Sequence, residues 1–166
     1  MTRMSWGLAG LVGLALVVRA PAGGEGDKDF LAKAIAAQIA EIKLAELADR
    51  QAQSAEVKGF AKHMITDHTK LRDQLLDRAK AMKLAVVQGL EKDYKEKMER
   101  LSKLEGAAFD KEYMAEMVKD HQKALKDFEA QSKSAQDQEL RRVLTDALPR
   151  IREHLKHAQQ VARDLK

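Results

Sequence analysis

From Asp27 to Ala52 apolar residues return every three or four positions, at Phe30, Leu31, Ala34, Ile35, Ile39, Ile42, Leu44 and Leu47, with no Gly or Pro between them. That period predicts a helix. Ser54 followed by Glu56 and Val57 reads as a cap and a first turn, and Val57, Phe60, Ala61, Met64, Ile65, Leu71, Leu75 and Leu76 carry the same spacing to Met82. The link between these two helices is short, which makes them antiparallel neighbours. From Lys83 to Gly106 the pattern breaks: Val86, Val87, Gly89 and Leu90 suit a loop, and the charged stretch Glu91 to Leu104 carries Tyr94, Met98, Leu101 and Leu104 on one stripe, as a short connecting helix would. A third long helix is predicted from Ala107 through Phe109, Met114, Met117, Val118, Leu125 and Phe128, ended by the polar stretch Gln131 to Gln138. A fourth runs from Gln138 to Asp164, and Pro149 inside it either kinks that helix or marks its start. The fold class is all-α: two helical hairpins joined by a long crossover with a short helix in it, the connectivity of a ferritin-like antiparallel four-helix bundle. Met64 to Leu71 also echoes Met117 to Lys123, a faint repeat between the second and third long helices.

Residues 1–22 follow a different rule. Arg3 stands in a charged start, an apolar run extends from Trp6 to Val18, and Ala20-Pro21-Ala22 has the small-x-small form of a cleavage site, so a secretory signal cut after Ala22 is expected. The apolar run is shorter than the roughly 20 residues of a permanent span, and the protein stays membrane-tethered only if the signal is not cleaved. Residues 23–26, rich in glycine, are expected to form a flexible leader before a bundle domain over 27–166. Export implies a periplasmic or secreted location. Composition agrees with helix: hydrophobic residues make up 45%, charged residues 34% and aromatics only 4%, with 2 Pro. The formal charge of +4 falls to +2 without Arg3 and Arg19, and the charges alternate along the helices, which gives nucleic acid no basic face to bind. With no Cys there is no disulfide, thiol nucleophile or lipid attachment site.

The apolar rows are interrupted at one level. Val57, Ala61, Met64, His68, Leu71 and Leu75 form the row of the second helix, and Met114, Met117, His121, Ala124 and Phe128 that of the third long one. Leu144, Ala147, Ile151, His154, Ala158 and Val161 form the row of the last, and Phe30, Ala34, Ala37, Glu41, Leu44 and Ala48 that of the first. Each core row thus carries one ionisable residue. At about 1.5 Å per residue, Glu41 and His68 lie roughly 20 Å from the tip of their hairpin, His121 is similarly deep in the second, and His154 lies about a turn further, so that the four can meet in one layer. Buried charges need a partner or a cation. Imidazole and carboxylate ligands suit iron, copper, zinc or manganese, so Glu41, His68, His121 and His154 are candidate metal ligands, with Asp67 and Asp120 as further ligands or orienting groups.

The competing reading is a metal-free layer of hydrogen-bonded histidines and carboxylates that fixes helix register in a structural or interaction module of the cell envelope. A metal-dependent oxidase or peroxide-handling enzyme is a third. Di-iron carboxylate proteins carry Glu-x-x-His on two helices, and no Glu or Asp here precedes a His by three. Met64, Met98, Met114 and Met117 read as core filling, with copper(I) ligation as the alternative. No Ser-His-Asp set or Gly-rich phosphate loop is visible, which favours a binding or sensing module over an enzyme.

Several ordered segments carry a family resemblance: Phe30-Leu31-Ala32-Lys33 with Glu41, Val57-Lys58-Gly59-Phe60-Ala61, Met64 with Asp67-His68, Gly106-Ala107-Ala108-Phe109-Asp110 with Tyr113, Asp120-His121-Gln122-Lys123, and Leu148-Pro149 with Glu153-His154-Leu155. Together, over Asp27 to Ala158, they resemble the exported bacterial ferritin-like family known as domain of unknown function 4142. The resemblance implies a ferritin-like fold and export to the periplasm, with no established activity. A proline expected in the loop after the second helix is missing. Members often bear an outer-membrane label, yet this chain has no run of alternating strands from which to build a barrel.

Overall fold

A computed structural model describes residues 24–86 and 89–165. The expected signal segment therefore lies outside the described residues. Five helices make up the structure, with no strand among the described residues: α1 (Glu25–Gln51), α2 (Ala55–Ala81), α3 (Lys92–Ser102), α4 (Gly106–Ser134) and α5 (Gln138–Asp164). None of them is long and apolar enough to cross a membrane. α1 packs along α2 and α4 along α5; α2 meets α5 and α1 meets α4 more sparingly, and the short α3 rests on α1 and α4.

The expected boundaries shift for local reasons. α1 begins two residues before Asp27, so Glu25 and Gly26, expected in the leader, form its first turn instead. There the acidic Glu25 and Asp27 complement the positive end of the helix. The polar residues after Gln131 do not end α4 at once, because Ser132 and Ser134 donate their hydroxyls to the carbonyls of Glu129 and Ala130 and stay helical. Pro149 does not mark the start of α5, which runs unbroken from Gln138. It faces solvent, where the carbonyl left without an N–H donor can be hydrated. α2 ends with Lys83 in the left-handed region at φ 53°, and the N–H of Leu84 reaches back to the carbonyl of Ala79 at 2.9 Å. Gly106, at φ 55°, opens α4 where an added Cβ would stand 3.0 Å from Oε1 of Gln53.

The fold contains a repeat, in a register different from the Met64/Met117 echo. Adding 83 to the residue numbers of α2 gives the bounds of α5, and Gln51, the last residue of α1, maps onto Ser134, the last of α4. In the same register Asp27-Lys28-Asp29-Phe30-Leu31 matches Asp110-Lys111-Glu112-Tyr113-Met114, and the links Ala52-Gln53-Ser54 and Ala135-Gln136-Asp137 match each other. Ser54 and Asp137 cap their helices: the Ser54 hydroxyl accepts from the N–H groups of Glu56 and Val57, and the Asp137 carboxylate from that of Leu140.

The two aspartates act across the hairpins. Asp110, on α4, accepts from the backbone N–H groups of Gln53 (3.0 Å) and Ser54 (2.7 Å) in the α1–α2 link. Asp27, on α1, accepts from those of Gln136 (3.0 Å) and Asp137 (2.8 Å) in the α4–α5 link, and from Nε2 of Gln131 (2.9 Å). Both are buried, and each carboxylate is satisfied by donors that the other hairpin would otherwise leave unpaired.

Apolar packing falls into two clusters. One joins Leu44, Ala45, Leu47 and Ala48 of α1, Ala52 of the α1–α2 link, Val57–Met64 of α2, Leu101 of α3, Phe109–Met117 of α4 and Ala158 and Val161 of α5. The other joins Leu31–Ile35, Leu75–Met82, Phe128 and Leu140–Ile151. Met64, Met114 and Met117 are fully buried in the first cluster, with Met98 packed on it, which is the core-filling role. Buried polar residues outside both clusters include Gln38, Glu41, His68, His121 and His154.

Candidate metal centre

Three of these residues converge. One ring nitrogen from each of His68, His121 and His154 lies within 4.8 Å of one from each of the others, a grouping that could hold a metal ion. The ring centroids form a nearly equilateral triangle, 5.5 Å from His68 to His121, 5.4 Å from His68 to His154 and 5.5 Å from His121 to His154. The helical period delivers them: α2, α4 and α5 each point one core-row position at the same level, and imidazole takes the place of an aliphatic group there.

Each ring uses its other nitrogen on the protein. Nδ1 of His68 lies 2.8 Å from Oε1 of Gln38, and Nδ1 of His121 lies 2.8 Å from the carbonyl of Met117, one turn back on α4. Nε2 of His154 lies 2.9 Å from Oδ2 of Asp67. Since all three partners are acceptors, the nitrogen facing each of them carries the proton, and Nε2 of His68, Nε2 of His121 and Nδ1 of His154 keep their lone pairs. Nε2 of His121 and Nδ1 of His154 are buried with no hydrogen-bond partner. Burial holds all three rings neutral: it pushes His68 well below the usual histidine range, helped by its two histidine neighbours. It lowers His121 to about 4 and lowers His154 despite the Asp67 carboxylate that favours the charged form.

The other candidates lie around the triangle and outside that group of nitrogens. Asp67, half-buried, orients His154 and also lies 3.5 Å from Nε of Arg150. Glu41 is buried near Asp120, with its Oε2 unpartnered. Burial raises its carboxyl well above the carboxylate range, and the Asp120 carboxylate raises it further against the opposing Lys97 ammonium, which favours the protonated form of Glu41. Asp120 is ion-paired with Lys97 of α3, which also holds Glu116 at 2.8 Å, while Arg100 lies 2.8 Å from the same Glu116. α3 is thus fastened over the α1–α4 seam by charge, and burial beside Glu41 pushes the phenol of Tyr94 far above its ordinary range. Gln38, which tethers His68, was not among the sequence candidates. Its signal was available, because it lies one turn before Glu41 and occupies the repeat position of His121.

Two clefts lead to the triangle. One of about 350 Å³ opens along the α1–α4 seam and is lined by Glu41, Tyr94, Asp120, His68 and His121. The other, about 340 Å³, opens along the α2–α5 seam beside Asp67, Arg150, His68 and His154. His68 is common to both. Three neutral imidazoles, oriented by second hydrogen bonds and reachable from solvent, form a three-nitrogen donor set that leaves a further coordination position open.

Two solved structures resemble this fold. "CopM in the Cu(II)-bound form" superposes with a TM-score of 0.72 at 18% identity, over 84% of this chain and 97% of that one. "CopM in the Ag-bound form (by co-crystallization)" does so with a TM-score of 0.68 at 19% identity, over 83% and 96%. No curated protein matches the chain in sequence. The family described as Domain of unknown function (DUF4142) matches residues 15–161, and the chain, a helical-bundle protein with a buried histidine triangle, belongs to that family.

Proposed function

We propose that this protein is an exported metal-binding module that holds one transition-metal ion, copper foremost, on His68, His121 and His154 at the middle of a ferritin-like antiparallel bundle of four long helices. The observation that carries the reading is the set of buried, neutral imidazoles whose outer nitrogens are all occupied by Gln38, the Met117 carbonyl and Asp67. A metal-free layer would leave His121 Nε2 and His154 Nδ1 as unsatisfied buried groups, at a cost of about 1–3 kcal/mol each. Divalent copper stands highest in the affinity order for such nitrogen donors. The CopM structures, one with Cu(II) and one with silver, support the same choice.

In this reading Asp67 orients His154, while the Asp120–Lys97 ion pair sets the charge beside the ion. Glu41 enters as a proton-bearing neighbour in place of the ligand role expected from sequence. The site binds, stores or senses its ion in the periplasm, with residues 1–22 serving as the export signal.

Copper(II) titration of untagged protein against a competing chelator, followed by electron paramagnetic resonance, tests the proposal. One tightly bound equivalent with nitrogen splitting is expected, and His121→Ala and His68→Ala should each abolish it. Absence of a stoichiometric ion, or an unchanged affinity in His121→Ala, would sink the proposal.

A further inference from the structure

Two of the five histidines lie outside the triangle. His63, on α2, and His157, on α5, are exposed, and their ring centroids are 6.2 Å apart across the α2–α5 seam. They line a third cavity, of about 370 Å³, together with Asp67, Glu153 and His154. His157 stands one turn beyond His154 on the same helix, and the Phe60 ring lies edge-on to both, 5.3 Å from His157 and 6.4 Å from His154. From the juxtaposition of His63, His157 and Glu153 in this cavity, we infer that the protein has a second, solvent-facing site for a divalent transition-metal ion at the mouth of the α2–α5 seam. The inference rests on the reading of the triangle only in its choice of ion.

The donor chemistry fits. The two imidazoles stand on facing helices with centroids 6.2 Å apart, wider than the 5.4–5.5 Å of the triangle, and as exposed side chains they can change rotamer to share one ion. Glu153, one turn before His157, supplies an oxygen donor from an exposed side chain. The one cationic side chain lining the cavity is Arg150, and its charge is offset by Glu153 at 2.9 Å and Asp67 at 3.5 Å. Burial and the neighbouring His63 lower the affinity of His157 for a proton, which leaves its lone pair available at neutral pH.

The internal repeat argues that the pair is not there for packing. In the register that superposes α2 on α5, the position equivalent to His63 is Asp146, and the position whose equivalent is His157 is Gln74. The seam therefore closes at its other end without histidine. With one ion in the triangle and a second at the mouth, the molecule would carry two sites of unequal strength, because an exposed pair with one carboxylate has fewer fixed donors than a buried triad.

Copper(II) titration of three proteins tests this: the unaltered chain, His63→Gln/His157→Gln, and His68→Ala/His121→Ala. Glutamine keeps the exposed surface polar, so the first double variant is expected to fold. The unaltered chain should take up one tight and one weaker equivalent, the His63→Gln/His157→Gln protein only the tight one, and the His68→Ala/His121→Ala protein only the weaker one. If that last protein unfolds, the comparison between the first two still decides. Retention of the weaker equivalent by His63→Gln/His157→Gln, or its absence from the unaltered chain, overturns the inference. Loss of the weaker equivalent on glutamine substitution, in a chain that never shows a tight one, would instead remove the triangle as a binding site and leave the surface site standing.

Discussion

An imidazole held in a low-dielectric layer titrates below its ordinary range, and the sign of that shift determines how the apo protein responds to acid. For His121 the folded value is about 4 and the unfolded value 6.5. The unfolded chain therefore takes up protons first, and stability present above pH 6.5 is lost as pH falls towards 4. His68 and His154 are shifted in the same direction and add to the loss. Thermal melts of metal-free protein should show a falling midpoint across that window, and a flat profile would mean that the rings take up protons equally in the folded and unfolded chain. Glu41 works the other way. Its folded value lies well above 4.5, so the stability this group contributes is full below pH 4.5 and is lost as pH rises through the folded value. Glu41→Gln should raise the urea midpoint at pH 8 and change it little at pH 4.5; a lower midpoint at both would show that the carboxylate is needed in its charged form. Asp67→Asn keeps the shape but weakens the hold on His154, and should reduce copper affinity about 10–100-fold without abolishing it.

At the scale of the helix, the apolar period was enough to locate every element, because four long rows with a period near 3.6 leave little choice of structure. The same rows singled out the three histidines, since a polar residue in a core row is conspicuous. They could not tell which polar neighbours would touch. Glu41 occupies a core-row position yet lies outside the group of nitrogens, while Gln38, one turn earlier, reaches His68. Side-chain length and rotamer decide that, and a one-dimensional pattern does not carry them. The Met64/Met117 echo pairs α2 with α4, whereas the equivalence in the fold pairs whole hairpins and is marked by the Asp-Lys-acid-aromatic segment at Asp27 and Asp110. Both aspartates look like ordinary surface acids until the links they cap are folded against them. Asp110→Ala removes the acceptor for two backbone N–H groups and should destabilise the protein by about 2–3 kcal/mol in denaturant titration, and Asp27→Ala should cost a similar amount. A change below about 0.5 kcal/mol in either would mean that water replaces the carboxylate freely.

Across the whole molecule the apolar core is divided in two, and the histidine layer is the place where the hairpins meet over polar groups. An ion bound there ties α2, α4 and α5 together and is absent from the unfolded chain. Copper at about 100 times its dissociation constant should therefore add about 2.7 kcal/mol, visible as a concentration-dependent rise in melting temperature. The rise should vanish in His121→Ala, and its persistence there would place the stabilising ion elsewhere.

The crossed aspartates carry one more consequence. Neither hairpin holds the acceptor that closes its own link, so each is completed only by the other, and nothing in that geometry requires the two to come from one polypeptide. Two copies could exchange halves and satisfy the same four N–H groups, with the connection between α2 and α4 spanning from one body to the next. Shortening that connection should favour an intertwined dimer with both clasps intact, and severing it should yield two fragments that recover the fold only when mixed.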